Sequence, residues 1–182
     1  PLEIGAYRRQ GEPLAAKGGL VAATAYSAIE QALLDLAGKA LGVPAATLLG
    51  GRLRDTLPIY ANINRATKPR TPAGFAAAAT AAVRDGFRAV KAAPFDGFPS
   101  LSSPPDTINA AVENGIASVA AMRAAIGPEI ELMVDCHSFF DVPLAERVAQ
   151  KLEPQQLSWY EEPVPPERTE ETLEIRRRIK QP

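Results

Sequence analysis

The sequence has one cysteine and one histidine in 182 residues. A disulfide framework needs paired thiols and a cysteine-rich zinc site needs several, so one chain can build neither. No run of 18 apolar residues occurs, which removes any candidate transmembrane helix. Neither sign of charge is in excess, with 20 Lys and Arg against 21 Asp and Glu. That balance offers no electrostatic footprint for nucleic acid or for an anionic membrane surface. The signatures of dinucleotide binding (GxGxxG after a strand), P-loop hydrolysis (GxxxxGK(S/T)), zinc proteolysis (HExxH) and nucleophile-elbow catalysis (GxSxG) are all missing. The first residues, PLEIGAYRRQ, carry neither an initiator Met nor a charged-then-apolar leader, and they suggest an interior cut. What is present is 46% apolar content with 23% charge, enough to bury a core and too apolar for a disordered chain. A cytoplasmic setting is expected.

Two textures follow one another. Residues 1–24 are interrupted by Gly5, Gly11, Gly18 and Gly19 and predict loop with some strand. Ser27 then stands as an N-cap, with Glu30 in the capping-box position. Ile29, Leu33, Leu36 and Ala40 recur at helical spacing until Gly42 and Pro44 stop the pattern. A second helical piece, 45–49, ends in Gly50-Gly51. From Leu57 onward the rhythm alternates. Strands are predicted over 57–63, 87–93, 130–136 and 157–161. Helices are predicted over 72–85, 107–126 (capped by Asp106), 143–152 and 169–180, and a Pro- and Ser-rich loop fills 94–105. Strand–helix alternation implies an α/β fold with parallel strands. Either a doubly wound open sheet or a (β/α)8 barrel fits, and four repeats cannot close the barrel's eight. The chain is therefore an open four-stranded sheet or one half of something larger.

In both architectures ligands bind at the carboxyl ends of the strands. The second strand brings Lys91 and, farther on, Asp96; the third brings Asp135, Cys136 and His137; the fourth brings Glu161 and Glu162. Asp135 and Glu161 on one face would repel unless a cation lay between them, and Mg²⁺ favours such carboxylate oxygens. The plainer alternative has Asp135 capping a helix and Glu161 pairing with a lysine. His137 follows Asp135 by two, so in extended backbone it shares that residue's face, with an imidazole suited to proton transfer. Cys136 then points away and packs. Lys91 is a general base if desolvated, or a cation for a substrate carboxylate.

Several segments resemble the mandelate racemase and muconate lactonizing branch of the enolase superfamily. YSAIEQALLDLAGKALGVPAATLLGG (26–51) is similar to the last helices of its capping domain, and RLRDTLPIYA (52–61) to the entry into its barrel. MVDCH (133–137) and WYEEP (159–163) are similar to its third- and fourth-strand metal motifs. The resemblance implies the C-terminal part of a capping domain at 1–55, then about four βα units of a (β/α)8 TIM-type barrel at 56–182. It further implies Mg²⁺ as cofactor, with Asp135 and Glu161 as ligands and the third ligand beyond Pro182. Lys91 matches the first lysine of the family's Lys-x-Lys pair, whose second position is Ala93 here. The lysine base is thus missing, which disfavours racemisation by opposed bases. Asp135-Cys136-His137 is similar to the arrangement in sugar-acid dehydratases, where the histidine is the general acid. The implied activity is a lyase reaction on a sugar acid: loss of the proton α to a carboxylate and elimination of a β-hydroxyl. Racemase or cycloisomerase activity is the alternative. The family also implies a homo-oligomer. A half barrel leaves sheet edges and an unfilled interior, so the segment alone is expected to be inactive and to associate with partners.

Overall fold

A computed structural model describes residues 3–182. The chain forms two units that part between Leu57 and Pro58. The first is wholly helical: α1 (Ile4–Lys17), α2 (Gly19–Leu41) and α3 (Ala45–Leu48). The loop predicted over 1–24 is corrected from Ile4 onward, residues 1 and 2 lying outside the described ones. Gly5 and Gly11 sit inside α1, although each costs a helix about 1 kcal/mol relative to Ala. Packing between α1 and α2 outweighs that cost. Tyr7 stacks on Tyr26 with ring centroids 4.9 Å apart, its hydroxyl donates to the Tyr26 carbonyl, and Arg8 pairs with Glu30. Gly11 is needed there, since a Cβ would lie 2.7 Å from the Tyr26 ring. The true break is Gly18-Gly19, where Gly19 takes a positive φ of 68°. Ser27 caps nothing: it lies within α2 and accepts a hydrogen bond from Gln31, while Glu30 serves Arg8. Gly42, left-handed at φ 68°, ends α2, and the next residue's N–H returns to the Gly38 carbonyl.

The second unit alternates β1 (Ala61–Asn62), α4 (Pro72–Arg84), β2 (Ala89–Ala92), α5 (Pro105–Ile126), β3 (Glu131–Asp135), α6 (Val142–Leu152), β4 (Trp159–Glu161) and α7 (Thr169–Arg178). All strands are parallel in the order β1-β2-β3-β4. β1 is far shorter than the 57–63 predicted, because Pro58 has no N–H for a ladder and Leu57 and Ile59 remain exposed. Asp106 is not the cap of α5: Pro104 holds that position, and Asp106 sits in the first turn, where its charge favours the helix dipole. Thr71 and Asp141 cap α4 and α6 by accepting from Gly74 and Leu144.

The register separates two faces of the sheet. Lys91 pairs with Met133, and Met133 and Asp135 pair with Trp159 and Glu161. Partners in a ladder point the same way, so all five share one face. Val90, Ala92, Leu132, Val134 and Tyr160 share the other and join the core with Phe75, Ala79, Val119, Met122, Val148 and Ile175 from α4 to α7. Among the described residues of this unit, helices thus cover one face only. A doubly wound sheet would be covered on both, so the arrangement is that of a barrel wall. No helix among the described residues is long and apolar enough to cross a membrane.

Candidate functional site

The uncovered face gathers its polar side chains at the carboxyl ends of the strands. Lys91 is held in β2 with only 10% of its side chain exposed. Its ammonium lies 3.0 Å from Asp135 Oδ2 and 2.5 Å from Glu161 Oε1. Burial works against that charge, but hydrogen bonds to Glu161 and Asp135, with their charges, outweigh it and hold the amine above its ordinary pKa. The Tyr60 ring stands 5.8 Å from the ammonium, and the Trp159 indole N–H donates to Glu161 Oε2 at 3.0 Å.

His137 reaches this cluster by a route the sequence did not suggest. β3 stops at Asp135, and the chain turns through positive φ at His137 (46°) and Ser138 (61°). The extended backbone expected at His137 is therefore corrected. Left-handed conformations cost energy for residues other than glycine and persist where neighbours fix them. Here the Cys136, Ser138 and Phe140 N–H groups donate to the carbonyls of Glu161, Glu162 and Pro163, locking the turn onto the end of β4. The His137 N–H donates to Asp135 Oδ1. Its ring lies with Nε2 3.3 Å from Asp135 Oδ2 and Nδ1 2.5 Å from Asp96 Oδ1.

Asp96 is tied in turn to the first strand end. Its Oδ2 accepts from the Asn64 amide at 2.8 Å and lies 3.3 Å from Arg70 Nη2. Arg70 also donates to the Ala93 carbonyl and to Asn64. A continuous polar line thus crosses all four strand ends, from Arg70 and Asn64 through Asp96, His137, Asp135 and Lys91 to Glu161. Asn64 follows β1 and was within reach of the strand-end rule; Arg70 lies deep in the next loop and gave no sequence signal. Glu162 is exposed and stands apart from this line. Cys136 is wholly buried, and burial pushes its thiol well above the ordinary value, with only the Tyr160 hydrogen bond acting the other way.

The three carboxylates Asp96, Asp135 and Glu161 outnumber the cations Lys91 and Arg70, leaving a surplus of negative charge on this face. Asp135 and Glu161 offer hard oxygens aimed at one point, where a lysine cation now lies. That donor chemistry suits Mg²⁺, although no three His, Cys, Asp or Glu side chains among the described residues are grouped to hold a metal by themselves.

Residues 8–50 match the N-terminal domain of the mandelate racemase / muconate lactonizing enzyme family, and residues 74–182 match the enolase C-terminal domain-like family. D-gluconate dehydratase of Thermoproteus tenax is 38% identical over 143 residues, covering 78% of this chain and 27% of that enzyme. D-galactonate dehydratase of Variovorax paradoxus is 33% identical over 154 residues, covering 85% and 38%. The solved mandelate racemase/muconate lactonizing protein of Paracoccus denitrificans superposes with a TM-score of 0.79 at 29% identity, covering 96% and 46%. The chain spans less than half the length of each of these three.

Proposed function

The chain belongs to the mandelate racemase / muconate lactonizing enzyme family of the enolase superfamily, and from that premise we propose that it forms part of a Mg²⁺-dependent dehydratase of sugar acids. Its fold is the first half of a (β/α)8 barrel preceded by helices of a capping domain, with the boundary near residue 55. One observation carries the reading: Asp135 and Glu161, on neighbouring strands, aim their carboxylates at one point, filled in this structure by the Lys91 ammonium as the plainer reading of Glu161 expects, with the His137 imidazole beside Asp135. The two relatives named for dehydration of D-gluconate and D-galactonate support a polyhydroxy carboxylate as substrate. Those two acids differ in configuration at one carbon, so the choice between them rests on groups other than the ones described.

Asp135 and Glu161 would hold the metal. Bound there, Mg²⁺ would supply Lewis acidity toward the substrate carboxylate and so ease loss of the proton α to it. Lys91, whose ammonium fills that point in this structure, would yield it to the metal and serve as a cation beside the same substrate carboxylate, not as the base. Ala93, where the family's second lysine stands, leaves this strand with no other amine. His137 Nε2 hands its proton to the departing β-hydroxyl, which leaves as water, while a base supplied from outside the described residues takes the α proton, and the resulting enol becomes a 2-keto-3-deoxy acid. A cytoplasmic homo-oligomer is the setting that goes with this chemistry.

The test is Asp135→Asn in the full-length protein that contains this segment. Dehydration of D-gluconate or D-galactonate should fall by more than about 100-fold. Undiminished turnover would remove the metal-ligand assignment, and no turnover of any sugar acid by the unaltered protein would remove the dehydratase reading.

A further inference from the structure

The loop between β2 and α5 carries an aspartate that the proposed chemistry leaves unused. We propose that Asp96 is a positioning residue: it holds the proton on His137 Nδ1, so that Nε2 is the nitrogen that gives up a proton toward the substrate. The inference rests on the dehydratase reading for its catalytic meaning, but not for its geometry.

Donor bookkeeping carries it. An ionised carboxylate only accepts hydrogen bonds. Both other donors to Asp96, Asn64 and Arg70, are taken up by Oδ2. Oδ1 faces His137 Nδ1 at 2.5 Å, and that ring nitrogen is the one protein donor to it among the described residues. Nε2 is farther from its own carboxylate, at 3.3 Å from Asp135 Oδ2, and that oxygen already has Lys91 at 3.0 Å. When the ring has lost one proton, the one it keeps is therefore on Nδ1. The hydrogen bond at one nitrogen sets the role of the other.

The aspartate is also built to stay in place. Phe95 is buried on one side of it, and the Phe98 N–H closes a turn back to the Phe95 carbonyl. Phe95 and Phe98 each meet Phe140 edge to face, with centroids 5.1 and 5.2 Å apart. Phe140 follows His137 on the third-strand loop, so one aromatic cluster fixes both partners of the pair. On the far side Phe95 presses against Gly115 of α5, where a Cβ would lie 2.1 Å from its ring. Gly97, at φ 80°, lets the chain turn away directly after Asp96.

Nitrogen-15 NMR of the histidine-labelled full-length protein, with the His137 resonances assigned by their loss in His137→Gln, should show the Nδ1–H tautomer at a pH where the imidazole is neutral. A free histidine in water favours Nε2–H, so that form, or the solution mixture, would overturn the proposal without any change at Asp96. Asp96→Asn keeps the shape but can donate to the ring, and it should move the proton toward Nε2; an unchanged spectrum would count against the proposal. In the full-length enzyme the same substitution should lower kcat by about 10- to 100-fold with KM little changed, the usual effect of losing such a partner. A rise in KM at constant kcat would mean that Asp96 binds substrate instead. Absence of any dehydratase activity leaves the tautomer result standing, so the two readings fail separately.

Discussion

The two units solve the same problem to different degrees. The helical unit has 14- and 23-residue helices, yet Ala15 and Gly38 are its only buried residues among those described, while Leu20, Val21 and Leu53 stand almost fully in solvent. The strand–helix unit has shorter elements, with strands of two to five residues, but a closed core reaching from Ile63 to Ile175. Long helices can persist on alanine-rich propensity and pairwise contacts. Strands this short depend on packing against helices. Among the described residues, element length is therefore a poor guide to where the core lies.

The sharpest way to break that contrast is a matched pair of truncations. Leu132 in β3 is fully buried and Leu36 in α2 is 51% exposed. Leu132→Ala should cost about 2–5 kcal/mol in denaturant unfolding, and Leu36→Ala no more than about 0.5 kcal/mol. Equal losses would show that the apolar stripe of α2 is covered in solution.

A smaller effect probes the loop that carries Asp96. Gly115→Ala forces a methyl into the Phe95 ring, and overpacking of that kind costs about 1–3 kcal/mol. It should also weaken the Asp96–His137 pair, seen as a shift of the histidine nitrogen resonances. A change at Gly5 of the helical unit, where the nearest atom to an added Cβ is an arginine tip at 3.4 Å, should leave those resonances untouched.

The smallest effect is a pH dependence. The Cys136 thiol is held neutral by burial, above its ordinary value of 9.0. In the unfolded chain the same thiol ionises freely, so raising the pH through 9.0 favours unfolding. The denaturation midpoint should fall over that interval and fall less in Cys136→Ala. Native Cys136 should also resist alkylation until the unit unfolds.

Much of the barrel wall was legible because parallel strands impose a simple rule: their carboxyl ends share one rim. That rule brought out Lys91, Asp135, His137 and Glu161 from spacing alone. It also noted Asp96, though not its partner, because the Asp96–His137 contact depends on the Phe95, Phe98 and Phe140 cluster and on Gly115 in the following helix. The posture of His137 was not legible either, since two successive positive φ values leave no mark in residue types such as His and Ser. In the helical unit, glycines were misleading. Gly11 looks like a helix breaker in isolation and is in fact the close-approach residue for Tyr26. Pro58 had the opposite effect, removing from β1 residues whose apolar character suggested a strand.

The central claim is that Asp135 and Glu161 form one cation site with His137 at its edge. Calorimetric titration of Mg²⁺ into the full-length protein tests it most directly, with Asp135→Asn and Glu161→Gln alongside. Saturable binding that both substitutions weaken together is the predicted result; magnesium binding with the same affinity in all three proteins would contradict it.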